Sequence, residues 1–440
     1  MRWKKAEYSG WGRVLKATGS RARPEKVSAL RDLIKAGAAP ALGNLRSYGD
    51  ACLNTDGKAI DMTRLDRFIE FDENTGILHA EAGVTIGTIA RLFAPRGWFP
   101  TVMPGTGFAT LGGCIANDVH GKNHHMHGSF GQHVRSISLL GANGRLRRVT
   151  PQDTPDLFAA TLGGIGQTGI IVSAGIQLAR CPSEVMEVRE RRSETLEEFM
   201  AMLESSTATY NVGWIDATAE GAELGRGILE EAEIKIQADP LPVAKARSIS
   251  RDAPRFMLNP AVVRLFNRYY LRRVPPQGRT LDRSIADFFF PLDRISGWNR
   301  LYGKPGFHQF QCVVPDANAA IHLRKMLQAI GRSKLASPLA VLKRLGDGRA
   351  GLMSFPMRGY TLAVDFPNRA KAAALVQELE DIACDAGGRV YLAKDALSRA
   401  GRIARMYPEL PEFTKIIKTT DPKGVFATDM VRRLQLRGKP

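Results

Sequence analysis

Apolar runs of four to eight residues alternate with stretches of helical period along the first 180 residues. Apolar spacing of three and four predicts a helix over 25–36. A short strand at 41–42 then ends in the turn Gly43-Asn44-Leu45-Arg46-Ser47-Tyr48-Gly49-Asp50. Strands rich in branched and aromatic residues are expected at 59–62, 67–71 and 77–82, and a helix at 86–94 leads into an apolar run at 98–102. Runs at 136–140 and 145–148 flank Gly141-Ala142-Asn143-Gly144, whose Asn-Gly pair marks a hairpin, and 169–178 is a further apolar strand. After Cys181-Pro182 glycine clusters thin out. Strands at 210–215, 309–314 and 361–366 mix there with helices at 318–330 and 369–386, and the last fifty residues are basic and helical in style. The pattern predicts an α+β chain divided at 1–181, 182–388 and 389–440, the last part returning to the first domain.

Composition narrows the class. The 440 residues suit two domains, and 44% apolar with 24% charged residues suits a large buried core. Five cysteines without a CxxC pair point to a reducing compartment. The basic N-terminus lacks an apolar signal stretch, and no run is long enough to span a bilayer, so the expected location is cytoplasmic, at most peripheral on the inner face of the membrane. The net charge of +18 calls for an anionic partner. Nucleic acid is disfavoured, because zinc-finger spacing, RNP-like aromatic motifs and a compact recognition helix are lacking. Ten basic residues against two acidic ones crowd 245–283, where residues 261–273 interleave large apolar groups with arginine at near-helical spacing. Such a segment either lies on an anionic membrane surface or docks on its own domain.

Candidate chemistry concentrates at 103–131. Gly105, Gly107, Gly112 and Gly113 either expose amides that cradle a pyrophosphate or serve as structural turns. The spacing fits neither a P-loop nor a Rossmann fingerprint. His120, His124, His125 and His127 lie within eight residues, but no carboxylate or cysteine set completes a ligand pattern, so no metal is expected.

The strings RSYGDACLNTDG (46–57), MPGTGFATLGGCIANDVHGKNHHMHGSFGQHVRS (103–136) and TLGGIGQTGI (161–170) resemble the PCMH-type FAD-binding domain of the vanillyl-alcohol-oxidase superfamily. Together with PLDRISGWNRLYGKPGFHQFQCVVP (291–315), SFPMRGYTLAVDFP (354–367), YLAKDA (391–396) and DPKGVFATDMVRRL (421–434), they are similar to its decaprenylphosphoryl-ribose 2′-oxidase branch over nearly the whole chain. The resemblance implies a two-domain flavoprotein, with non-covalent FAD and a substrate domain built on an antiparallel sheet flanked by helices. FAD would be held by Gly43, Asn44, Arg46, Ser47, Tyr48, Pro104, Gly105, Thr106, Gly112, Gly113, Asn117, His120, Gly121, Gly164, Gly169, Ile171, Tyr391 and Lys394. The substrate pocket would use Tyr48, Lys122, Trp214, Arg300, Gln309, Gln311, Lys343, Thr361 and Ala363. The implied reaction transfers a hydride from C2 of a lipid-phosphate-linked ribose to flavin N5, giving a keto sugar that a separate NAD(P)H-dependent reductase consumes. Lys394 or His120 would act as base, and Lys343 would position the sugar.

The chain departs from the family at several places. Ala363 stands where a cysteine is usual, Thr361 where an asparagine is, Leu45 where glycine tends to occur, and Ile295 at an aromatic position. The alternative reading is an aldonolactone or sugar-alcohol oxidase that acts on a soluble sugar and makes hydrogen peroxide. A non-catalytic flavin- or nucleic-acid-binding protein is the third.

Overall fold

The apolar runs form strands that gather in three principal sheets. The computed structural model describes residues 3–242 and 246–438. A four-stranded sheet pairs Lys4–Ser9 with Lys16–Ala22, then continues through Lys58–Asp61 to Ala41–Leu42, the last two pairings being parallel. The helix Val27–Lys35 turns Leu30, Leu33 and Ile34 inward, the stripe its spacing predicts. A second, antiparallel sheet is centred on Ile170–Arg180, which pairs with Ile77–Glu81 on one side and Val134–Leu140 on the other. The short helix Leu111–Ala116, capped by Thr110 through the Gly113 amide, packs against this sheet.

The third sheet has eight strands, all paired antiparallel. Their order is Arg279–Ser284, Val185–Ser193, Gly227–Ile234, Tyr210–Ile215, Ala340–Leu345, Gly359–Pro367, Phe307–Val314 and Arg389–Val390. Helices Leu196–Ser205, Ala319–Ser333 and Ala372–Asp385 bury Phe199, Leu323, Met326 and Leu379 in the core on one side of it. The architecture is α+β, with an antiparallel sheet flanked by helices.

Among the strands that escape the apolar pattern are Val185–Ser193, Gly227–Ile234 and Arg279–Ser284. Glu190 is fully buried among them and accepts from Arg273, Arg279 and Arg283, while Glu230 meets Arg273 and Arg283. Buried, paired charges replace apolar residues here, so alternation alone cannot reveal these strands. Three of the basic residues in 245–283 are therefore spent inside the fold. Lys245 lies outside the described residues.

The middle of that segment is the helix Pro260–Arg272, capped by Asn259 with Pro260 in its first turn. Val263, Asn267 and Leu271 face inward, and Asn267 donates to Asp216 at 2.7 Å. Leu265, Phe266 and Tyr269 face solvent beside exposed Arg264, Arg268 and Arg272. Docking on its own domain and presenting an outer face are thus both properties of one helix.

Candidate active site

A cavity of about 380 Å³ opens between the glycine-rich loops and the eight-stranded sheet. The first wall is the loop after strand Ala41–Leu42. Among the described residues, the amides of Gly43, Asn44, Leu45, Arg46 and Ser47 donate to no acceptor, whereas the Ser47 and Tyr48 carbonyls receive the Trp11 and Gly12 amides at 2.8 and 3.2 Å. A run of unspent amides beside a cavity is an anion-binding surface. Leu45 holds φ +54°, a conformation that suits glycine better than leucine.

The expected amide cradle at 105–113 differs. The Gly107 amide donates to Asp293 at 2.7 Å, the Gly112 amide to Ala82 at 2.9 Å and the Gly113 amide to Thr110 Oγ1 at 3.2 Å. These amides build the wall and are not free for a ligand. Gly112 is small because a Cβ there would stand 2.9 Å from the Ala82 methyl. By contrast, a Cβ on Gly105 or Gly166 would meet nothing within 4 Å, although both border the cavity. Free amides at 43–47 and glycine-lined open space at 105 and 166 fit a flavin dinucleotide. Pro104, Thr106, Asn117, Gly169, Ile171 and Tyr391 also line the cavity. Gly121 and Gly164 do not: Gly121 sits against Asn123 and Met103, and Gly164 against the Ala160 carbonyl.

A clamp joins this loop to the segment bearing Lys394. Arg433 binds both oxygens of Asp50 at 2.8 and 2.7 Å, and its Nη2 also meets Asp395 at 2.8 Å. The Tyr48 amide donates to the Ala393 carbonyl at 3.0 Å. At Gly49 a Cβ would fall 1.7 Å from the Asp395 carbonyl oxygen, so only glycine permits the approach. The result places the Lys394 ammonium 3.8 Å from the centre of the Tyr48 ring.

Sheet register builds the opposite wall. Gln309 lies opposite Asp365, Gln311 opposite Ala363, Ala363 opposite Val341, and Lys343 opposite Thr361. Cross-strand partners share a face, and so do residues two apart on a strand, so one face carries Gln309, Gln311, Ala363, Val341 and Lys343 to the cavity. Lys343 reaches the Gly121 carbonyl at 3.4 Å; burial, aided by Lys122, lowers its pKa to about 8. Burial likewise lowers Lys394, against the opposing pull of Asp365, while burial raises Asp365. His120 is buried and held well below the ordinary histidine range by desolvation and by Lys343, so it is neutral at pH 7. Its Nε2 accepts from Gln311 at 3.0 Å and its Nδ1 has no partner among the described residues. With Nε2 engaged and Nδ1 carrying the ring proton, His120 is a poor proton acceptor, and Lys394 is the better placed base.

Four expected substrate contacts stand away from the cavity lining. Thr361 is buried beside Gln311, accepting from it at 3.1 Å. Lys122 donates to the Phe288 carbonyl and lies over the Phe288 ring. Trp214 pairs with Val341 on the same face but donates to the Pro338 carbonyl and packs on Tyr270 at 4.8 Å. Arg300 is bound to the Ser250 carbonyl at 3.2 Å.

Sequence reasoning missed Asp293, Asp365 and the Asp50–Asp395–Arg433 clamp. Asp293 borders the cavity and also accepts from Thr106 at 2.8 Å. All five residues lie inside or at the edge of the quoted strings, but their roles are to hold other groups, which no motif chemistry announces.

Comparison with known proteins agrees with this geometry. A family described as FAD binding domain matches residues 22–150, and one described as D-arabinono-1,4-lactone oxidase matches residues 360–434. The decaprenylphosphoryl-β-D-ribose oxidase of Mycolicibacterium smegmatis is 36% identical over 97% of each chain. An uncharacterized protein of Streptomyces coelicolor is 33% identical over 80% of this chain, and human Δ(24)-sterol reductase is 31% identical over 27% of it. The chain is an FAD-dependent oxidoreductase with the two-domain vanillyl-alcohol-oxidase-type fold, and it belongs to the decaprenylphosphoryl-β-D-ribose oxidase family.

Proposed function

We propose that this enzyme oxidises the 2-hydroxyl of a polyprenylphosphoryl-ribose to the keto sugar, the first half of a 2′-epimerisation. In this reading 1–181 and 389–440 hold the cofactor and 182–388 holds the substrate. The observation that carries it is the polar face Gln309–Gln311–Lys343 set across one cavity from Lys394 and the free amides of 43–47. Bound non-covalently, FAD supplies the two-electron acceptor for the hydride. The hydroxyl proton goes to the neutral amine of Lys394, and the ammonium so formed would supply positive charge to the cavity where the cofactor would bind. Lys343 orients the sugar, and Tyr48 holds Lys394 in place. A separate NAD(P)H-dependent reductase consumes the product.

The test is anaerobic bleaching of the flavin absorbance. Bleaching by a polyprenylphosphoryl-ribose analogue and not by free aldonolactones supports the reading. The reverse favours a lactone oxidase, the alternative to which the match over 360–434 lends weight. Acid precipitation should release the flavin into the supernatant.

The same reading attaches the protein to an anionic membrane surface. No helix among the described residues is long and apolar enough to cross a membrane. The outer face of Pro260–Arg272 and the turn before it leave Phe256, Leu265 and Tyr269 69, 71 and 75% exposed among arginines. Leu258 of that turn packs against the cluster of Tyr48, Trp298, Tyr302 and Phe307, of which Tyr48 and Trp298 border the cavity. Cations near an anionic leaflet contribute about 1 kcal/mol each. Co-sedimentation with phosphatidylserine vesicles should fall in a Leu265→Ser, Tyr269→Ser variant; unchanged binding would remove this face from the interaction.

A further inference from the structure

The two glutamines of the sugar-facing wall have their amide nitrogens already committed inside the protein. Gln309 Nε2 donates to Asp365 Oδ1, and Gln311 Nε2 donates to His120 Nε2 and to Thr361 Oγ1 at 3.0 and 3.1 Å. Asp365 is 0% exposed, and its second oxygen lies 3.2 Å from the Tyr302 hydroxyl, which stands 2.9 Å from the Ser337 hydroxyl. Neither Asp365 nor Thr361 borders the cavity; both stand on the same sheet face beside the glutamines that do. Both N–H groups of Gln311 are spent in this way, leaving only its carbonyl oxygen for a ligand, while Gln309 has spent one and keeps the other beside its carbonyl oxygen.

We propose that Asp365 and Thr361 are positioning residues that fix the polarity of the sugar subsite: Thr361 leaves Gln311 an acceptor alone, and Asp365 ties back one Gln309 N–H so that its carbonyl oxygen is turned to the cavity. The subsite then takes a ligand with at least two hydroxyl donors on one face, beside the carbon that is oxidised. Keto, deoxy or O-methyl groups at those positions leave a buried acceptor unpaired and are rejected. This inference rests on the proposed sugar oxidation and specifies which hydroxyls that site demands.

The experiment compares flavin bleaching by a farnesylphosphoryl-ribose with bleaching by its 3-deoxy analogue, using the flavin-loaded enzyme. The wild type should prefer the parent by about 100-fold or more in bleaching rate over apparent affinity. Asp365→Leu removes the acceptor beside Gln309, frees its amide to turn, and should shrink that preference at least about tenfold. Asp365→Asn keeps an acceptor oxygen without the charge and should retain the preference, a rescue that separates polarity from charge. Should Asp365→Leu fail to fold, Thr361→Val makes the same test on Gln311 with nearly unchanged volume. Equal bleaching of the wild type by both sugars overturns the inference and leaves the proposed oxidation standing. An unchanged preference in both Asp365→Leu and Thr361→Val also overturns it. Failure of both sugars to bleach overturns the oxidation itself, and the inference with it.

Discussion

In the loop 43–50 the functional atoms are backbone amides, whereas on strands Phe307–Val314, Gly359–Pro367 and Ala340–Leu345 they are side chains set out by register. The loop works only where side chains are absent or turned away, so its function is written as glycines and tight approaches. The sheet face works through what alternate residues carry, so a substitution there changes the groups presented while the backbone geometry persists. The two walls thus tolerate change very differently.

Breaking the loop should have the largest effect. Gly49→Ala places a methyl 1.7 Å from the Asp395 oxygen and must part the loop from the Lys394 segment. A loss of more than about 3 kcal/mol is expected, read as protein that accumulates poorly or purifies with a low flavin-to-protein absorbance ratio. Normal flavin content would show that the two segments are not coupled.

Lys394→Met should keep the flavin and slow its reduction by about 10²- to 10³-fold in anaerobic stopped flow. Burial lowers the Lys394 pKa, so the base form gains below the ordinary lysine range and the wild-type rate should climb with pH there. The rate should fall again as Lys343 loses its proton near pH 8. The Met variant should lack the rising limb.

The sheet face is the more forgiving wall. Ala363→Cys adds one sulfur at its centre and should change turnover by less than about threefold. Mass spectrometry after a thiol-directed inhibitor should find the label on the variant and none on the wild-type protein at this position. Cys52 also borders the cavity, but burial raises its pKa to about 12 and keeps it unreactive. The smallest effect is expected at Leu45→Gly, which relieves a left-handed backbone and should stabilise by about 1 kcal/mol, seen as a modest rise in Tm.

How much the sequence disclosed follows the same contrast. The strand Tyr210–Ile215 and the helix Pro260–Arg272 fall within a residue of where the sequence puts them, the helix because large apolar groups and arginines recur in it at helical spacing. Val185–Ser193 stayed hidden because Glu190 is buried in it against three arginines. At the site, clustered glycines marked the cofactor wall, but not which amides were free: those of Gly112 and Gly113 are consumed by Ala82 and Thr110, a tertiary fact. Gln309 and Gln311 could be placed on one face by period alone. The carboxylate beside Gln309 could not, since strand pairing sets it there from 56 residues away.

The Arg433 clamp has a consequence for biosynthesis. Asp50 leaves the ribosome 383 residues before the guanidinium that secures it. Until that late segment emerges, the early amides have no fixed shape to offer, and closing so long a span carries a large entropic cost. Flavin incorporation is thereby postponed to the end of translation, and ribosome-bound nascent chains lacking residue 433 should not acquire the cofactor.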